Sequence, residues 1–176
     1  ITLGGIDVRE MHSSYLMTQV SFVFQDVFLF KQSVADNIRM GNQAATNEQV
    51  IAAAKAAQCH EFIEKLPNQY DTVIGTRGVH LSGGERQRIA IARAIVKDAP
   101  VVVLDEATAF ADPENEHLIQ KAFETLMKNK TVIMIAHRLS TVQSANKIVV
   151  VDNGRVIEEG KHDELLASKG KYSDMW

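Results

Sequence analysis

Two adjacent carboxylates, Asp105 and Glu106, follow directly after the apolar run Val101 to Leu104. Ligands of open α/β sheets bind beyond the carboxyl ends of the strands, so these two acids lie where chemistry is expected. Consecutive residues of a strand point to opposite sides, which suits two different tasks. In phosphoryl transfer one carboxylate can hold Mg²⁺ and the other can orient the attacking water. The alternative is a solvated strand end, because acids are common on protein surfaces.

A second candidate site begins at Ser82, Gly83 and Gly84, directly before a helical run that continues to Ile95. A serine in this position can cap the helix, and the glycines let a phosphate approach the backbone. The free amide groups and the helix dipole favour an anion at the same place. The spacing therefore predicts a phosphate site, although an ordinary helix cap uses the same residue types.

Two further polar side chains lie at the ends of apolar runs. Gln25 follows Val20 to Phe24, and its amide oxygen can ligate Mg²⁺. His137 follows Thr131 to Ala136, where an imidazole can contact a phosphate or position a water molecule. If the strands are parallel, His137 lies at the same sheet edge as Asp105. Each residue alone is also compatible with a structural role, which is the commoner one for a lone histidine at a strand end.

Apolar runs that alternate with helical patterns predict an α/β fold with a mainly parallel sheet to position these residues. The runs lack polar alternation, as strands covered on both faces do. A crossover helix is expected between parallel strands, and Asn153-Gly154 predicts a hairpin turn. The predicted strands are Val101–Leu104, Thr131–Ile135 and Lys147–Val151, and the predicted helices are 47–59 (capped by Thr46 or Asn47), 61–66 and 114–128.

Length and composition exclude several classes of protein. The chain has 176 residues, 45% of them hydrophobic and 23% charged, which is typical of a globular domain and not of a disordered chain. The formal charge of −3 gives no basic field for nucleic acid. The single Cys59 cannot form an internal disulfide, which favours a reducing compartment. No apolar run reaches the ~18 residues of a membrane span.

Several phenylalanines and arginines of the chain are predicted to have structural roles. Since no basic side chains interleave with the aromatic residues, five phenylalanines are expected to pack inside the protein rather than to stack on bases. Three arginines of the helix after Gly84 are expected to face solvent or to pair within the chain, because the net charge is negative. These residues are Phe22, Phe24, Phe28, Phe30 and Phe123, and Arg86, Arg88 and Arg93.

The order of these motifs resembles that of the ATP-binding-cassette ATPases over essentially the whole chain. The resemblance implies a P-loop NTPase-like α/β core, mainly parallel, at about 1–33 and 98–176. It also implies a small α-helical subdomain at about 34–97 that carries the signature motif. The matching motifs are Val23–Asp26 (Q-loop), Leu81–Glu85 (signature), Val101–Glu106 (Walker B), Ala109–Asp112 (D-loop) and His137 (switch histidine).

The same resemblance implies a role for each site residue. Two cassettes would pair head to tail around two ATP molecules and Mg²⁺. Within one cassette, Glu106 would orient the attacking water or act as general base, His137 would contact the γ-phosphate, and Asp105 and Gln25 would lie on the Mg²⁺ side. The opposite site would be completed by Ser82, Gly83, Gly84 and Asp112.

The resemblance also implies a place in the cell and a branch of the family. Thr76-Arg77-Gly78 is similar to the X-loop of exporter-type cassettes. The implied activity is ATP hydrolysis that powers transport across a membrane. The implied partners are a second cassette and a transmembrane domain fused N-terminally, and the implied location is the cytoplasmic face of the membrane. Cassettes of DNA repair, chromosome maintenance or translation, or a non-catalytic partner cassette, are the alternatives. No long coiled coil separates Gln25 from Ser82, which argues against the chromosome-maintenance class.

Three departures from the family pattern qualify these expectations. No G-x-x-x-x-G-K-[ST] sequence occurs, so the chain is expected to begin just after the P-loop helix. By itself it is expected to bind ATP weakly or not at all and to show no significant turnover. The D-loop has Ala109 and Phe110 where the family usually has serine and alanine. The signature ends in Glu85 where many members have glutamine. We treat neither substitution as inactivating.

Overall fold

The computed structural model describes residues 1–75, 78–105, 113–136 and 139–176. Backbone contacts divide the chain into two compact units, Ile1–Ile133 and Met134–Trp176. The strands are β1 (Thr2–Leu3), β2 (Ile6–Asp7), β3 (Val20–Val23), β4 (Gln32–Ser33), β5 (Val73–Ile74), β6 (Val101–Asp105), β7 (Thr131–Ile135), β8 (Ile148–Asp152) and β9 (Arg155–Gly160). The α-helices are α1 (Ser13–Gln19), α2 (Val34–Arg39), α3 (Asn47–Ala56), α4 (His60–Ile63), α5 (Gly83–Lys97), α6 (Pro113–Met127), α7 (His162–Ala167) and α8 (Lys171–Met175).

The central sheet of the first unit has the strand order β3-β6-β7. Strands β3 and β6 are parallel, with Val20 opposite Val101 and Val23 opposite Leu104. One face of these two strands is buried, including Val23, Val102 and Leu104. The predicted parallel α/β core is therefore confirmed at β3 and β6, two strands that are far apart in sequence.

The expectation that every apolar run is covered on both faces is wrong for two strands. In β7, Ile133 and Ile135 are about half exposed. In β8, Val149 and Val151 are exposed, and the strand pairs with β9 in an antiparallel hairpin instead of joining a parallel sheet. A solvated antiparallel hairpin tolerates apolar residues on its outer face, so an apolar run alone does not distinguish it from a buried strand.

The predicted helices are confirmed with small shifts at their ends. Thr46 is the N-cap of α3, and it forms a capping box with Gln49. The 61–66 pattern folds as α4 followed by turns up to Leu66. Helix α6 runs from Pro113 to Met127, within one residue of its predicted ends. These boundaries follow local side-chain chemistry, which is why the sequence reveals them.

Helix α5 is the central helix of the first unit. Its side chains Ile89, Ile91 and Ala92 are fully buried. The helix packs against α2, α3, α6 and β3. It ends at Asp98, which adopts the left-handed conformation with φ +54°. A helix in this position can hold several loops in place at once.

The second unit is built on the β8–β9 hairpin. Asn153 and Gly154 have φ values of +47° and +74°, as the tight turn predicted from their sequence requires. The small core contains Ile148, Val150, Leu165 and Tyr172. The Tyr172 hydroxyl lies 2.8 Å from Nδ1 of His162, so the buried phenol is hydrogen-bonded.

No helix within the described ranges is long and apolar enough to cross a membrane. The predicted division into a helical subdomain at 34–97 and an α/β core at 1–33 and 98–176 remains a prediction.

Candidate functional site

The carboxyl ends of β3 and β6 bring two predicted site residues to one sheet edge. Gln25 lies two residues after Val23, and Asp105 is the last residue of β6. Because the two strands are parallel neighbours in register, both residues leave the sheet on the same side. Gln25 is exposed and Asp105 is half-buried. An amide oxygen and a carboxylate are therefore accessible at the edge where α/β proteins bind ligands.

The predicted phosphate site is the capped N-terminus of α5. The Ser82 hydroxyl accepts a hydrogen bond from the Glu85 amide at 3.3 Å, and the Glu85 carboxylate accepts one from the Ser82 amide at 2.8 Å. This reciprocal capping box fixes the first turn. The amides of Gly83 and Gly84 donate to no acceptor among the described residues. The turn thus presents two amides that have no acceptor in the described part of the chain, at the positive end of a fifteen-residue helix.

Gly84 has a packing role that its sequence context did not reveal. A Cβ atom at this position would lie 2.9 Å from Cγ and from Oδ1 of Asn115 on α6. Such a distance is closer than real Cβ contacts allow, so α5 and α6 approach each other here because residue 84 has no side chain. The sequence-based predictions explained this glycine by phosphate binding or by an ordinary helix cap, and neither involves contact with another helix.

Arg88, one helical turn after Gly84, also reaches Asn115. Its Nη1 donates to Asn115 Oδ1 at 2.6 Å, and its guanidinium carbon lies 5.4 Å from the centre of the Phe62 ring. The side chain is 4% exposed, and burial lowers the pKa of its guanidinium. The Nε atom has no hydrogen-bond partner among the described residues. The environment holds Arg88 inside the protein, in contact with α4 and α6.

Arg93 joins the opposite part of α5 to the loop that follows Gln25. Its Nε donates to the Asn37 carbonyl at 2.9 Å, its Nη2 reaches Asn37 Oδ1 at 3.3 Å, and its Nη1 reaches the Phe28 carbonyl at 3.4 Å. Burial lowers the pKa of this guanidinium as well. Of the two arrangements expected for these arginines, solvent exposure or pairing within the chain, Arg88 and Arg93 adopt the second.

Asn37 organises the same loop from α2. This fully buried amide accepts from the Phe30 amide at 2.9 Å and donates to the carbonyls of Phe30 and Ser33, each at 3.0 Å. The chain after Gln25 is thereby connected to α2, and through Arg93 to α5. Sequence analysis missed Asn37, because an asparagine in a helical run gives no signal of burial.

Four of the five phenylalanines expected to pack inside the protein do not. Phe22, Phe24, Phe28 and Phe30 are between 39% and 63% exposed. Phe123 on α6 is buried, as predicted. Phe28 and Phe30 contact each other edge to face, with ring centres 4.8 Å apart. The aromatic side chains around Gln25 thus form an apolar surface instead of a core.

Several predicted residues lie outside the described part of the chain. These are Glu106, Ala109, Phe110, Asp112 and His137, together with Thr76 and Arg77 of the X-loop motif. Their roles remain predictions from sequence. Within the described residues, no group of three or more His, Cys, Asp or Glu side chains could hold a metal ion.

Comparison with known proteins identifies the family. The family model described as ABC transporter matches residues 1–109. An ATP-dependent lipid A-core flippase of Legionella pneumophila (strain Paris) is 51% identical over 176 residues, which is 100% of this chain and 30% of the flippase. The mycobactin import ATP-binding/permease protein IrtA of Mycobacterium tuberculosis is 50% identical over 176 residues, which is 100% of this chain and 20% of that protein.

A solved structure agrees with the sequence comparisons. A bacterial Atm1-family ABC exporter with ATP bound aligns with a TM-score of 0.89 and 42% identity, covering 98% of this chain and 30% of the exporter chain. The chain thus spans less than a third of the length of each of these proteins. The family model, the identities and the shared fold agree: the chain belongs to the ABC transporter family and has the α/β fold of its ATPases.

Proposed function

We propose that this chain is part of the ATP-hydrolysing cassette of an ABC transporter and powers the movement of a substrate across a membrane. Membership of the family implies nucleotide binding. The observation that carries the proposal is the Gln25–Asp105 edge, which combines two oxygen donors at the carboxyl ends of adjacent parallel strands. The relatives named above are a flippase, an importer and an exporter, so non-transport cassettes are not favoured.

The donor atoms at this edge fit Mg²⁺. This ion prefers oxygen ligands and takes one or two of them from protein, leaving the others to water and phosphate. We assign these contacts to the Asp105 carboxylate and the Gln25 amide oxygen. Bound there, Mg²⁺ would offset the negative charge of the phosphates.

The remaining roles follow from the motif order. Glu106 is assigned the orientation of the attacking water, and His137 is assigned a γ-phosphate contact. Gly83 and Gly84 present helix amides to the nucleotide of a second cassette, Ser82 caps and completes that turn, and Asp112 serves the same opposite site. Each cassette of a head-to-tail pair would therefore supply half of two sites.

We assign the contact with the transmembrane domain to the exposed apolar surface beside Gln25. Phe28, Phe30 and Val73 contribute exposed side chains to it. The two segments that carry them are neighbours, because β4 pairs with β5 and Gly75 lies against the Phe30 carbonyl. We propose that a cytoplasmic helical segment of the transmembrane domain covers this surface. The cassette would then lie at the cytoplasmic face of the membrane, with residues 34–97 as its helical subdomain.

The test is hydrolysis by the complete protein. We expect ATPase activity that requires Mg²⁺, and a loss of at least about a hundredfold in kcat for Glu106→Gln, because general-base contributions have this size. The control is Glu124→Gln, which changes an exposed carboxylate on α6. Absence of ATP hydrolysis in the complete wild-type protein contradicts the proposed function. Equal activity of Glu106→Gln and Glu124→Gln contradicts the role of Glu106.

A further inference from the structure

Asn115, in the first turns of α6, contacts two residues of α5 that lie one turn apart. Its side chain fills the space beside Gly84, where a Cβ would come within 2.9 Å of it. Its Oδ1 accepts the 2.6 Å hydrogen bond from Arg88. Residues four apart on a helix share one face, so the single side chain of Asn115 contacts both Gly84 and Arg88.

The two contacts fix different degrees of freedom. The close approach at Gly84 sets the distance between α5 and α6 at the level of the capped turn. The Arg88 hydrogen bond sets the rotation of α5 about its axis, because the guanidinium is buried and also held over the Phe62 ring. Ser82 and Gly83 precede Gly84 directly, so their position depends on both contacts.

Asn115 is also close in sequence to a residue that is predicted to serve the nucleotide. It follows Asp112 by three residues. Under the proposed function, Asp112 and Ser82–Gly84 serve the same nucleotide, the one held mainly by the opposite cassette. Gly84 and Asp112 are 28 residues apart in the sequence. The side chain of Asn115 is a direct contact between α5, which begins at Gly83, and α6, which begins after Asp112.

We propose that Asn115 is a positioning residue that holds the signature turn Ser82–Gly84 in register with the start of α6, so that this turn meets the opposite nucleotide in one fixed position. The inference rests on the proposed function. Asn115 does not itself touch the nucleotide. It acts by keeping Gly84 and Arg88 in place.

The experiment uses Asn115→Ala and Asn115→Asp in the complete protein. Alanine removes the acceptor for Arg88, and aspartate keeps an acceptor of the same shape. We expect Asn115→Ala to lower kcat for ATP about tenfold, as expected when a buried hydrogen bond to a charged group is lost. The KM for ATP should stay within about twofold of the wild-type value. ATP is expected to bind first at the Gln25–Asp105 edge of its own cassette, whereas Asn115 contacts Gly84 and Arg88 of α5. Asn115→Asp should restore most of kcat. The matched control is Gln120→Ala, an exposed amide on the same helix.

Each outcome separates the inference from the function on which it rests. A wild-type protein without Mg²⁺-dependent hydrolysis refutes the proposed function itself. An active wild type with unchanged kcat in Asn115→Ala refutes the positioning role alone. Equal loss of kcat in Asn115→Ala and Asn115→Asp also refutes it, because the acceptor oxygen is then not what matters. A fall in kcat that is matched by a fall in folded protein, measured by thermal unfolding, shows a purely structural role and refutes it too.

Discussion

Removal of the Asn37 side chain is expected to disconnect the loop after Gln25 from the helices beneath it. The amide is fully buried and shares three short hydrogen bonds with the backbone of Phe30 and Ser33. Two longer bonds join it to the Gln32 carbonyl and to Arg93. Each short bond contributes about 1 kcal/mol net, so Asn37→Ala should lower the free energy of unfolding by about 3 kcal/mol. The loss exceeds that of an average substitution, because buried amide and carbonyl groups lose their partners.

Urea unfolding of the complete cassette, followed by circular dichroism, measures this free energy. The matched control is Asn42→Ala, because Asn42 is exposed and, within the described residues, its side chain accepts one hydrogen bond, from the Ala44 amide at 3.1 Å. The control should lose no more than about 0.5 kcal/mol. A loss below 1 kcal/mol for Asn37→Ala, or equal losses in the two variants, would refute the claim that this amide organises the loop.

Two further predictions concern a thiol and a helix cap. Burial raises the pKa of Cys59 to about 12, above the ~8.5 of an unfolded thiol, so the unfolded state releases the proton first and stability falls as pH rises above 8.5. We expect the free energy of unfolding to fall by about 2 kcal/mol between pH 8 and pH 10, and this fall should be absent in Cys59→Ala. Urea unfolding measures both proteins, and parallel pH profiles would contradict the prediction. Thr46→Ala removes the capping box of α3 and should cost about 1 kcal/mol in the same assay, whereas the exposed Thr125→Ala should cost less than half of that.

Local chemistry made part of the fold predictable from sequence. The N-cap Thr46, the turn at Asn153-Gly154 and the capped start of α5 each depend on residues within a few positions of one another. The carboxyl edge with Gln25 and Asp105 was predictable for a related reason. Apolar runs without alternation mark strands, and the polar residue after each run must lie at a strand end.

Contacts between distant segments were not predictable in the same way. Asn37 on α2 is buried and hydrogen-bonded to the backbone of Phe30, whereas the side chains of Phe28 and Phe30 on the same loop are exposed. An aromatic residue in a sequence indicates apolar area without indicating what covers it. Asn115 was missed because its partners lie 27 and 31 residues earlier, on another helix.

The spacing of residues along α5 explains how one helix serves several loops. With about 100° per residue, Gly84 and Arg88 lie on one side of the helix, and Arg93 and Lys97 lie roughly 180° away. The first side contacts Asn115 of α6. On the second side, Arg93 contacts the loop after Gln25 and Lys97 donates to the Val20 carbonyl at 2.7 Å, at the start of β3. Hydrogen bonds on both sides of α5 therefore oppose its rotation. Because the capped turn and the loop after Gln25 are both attached to this helix, a rotation that did occur would displace the two together.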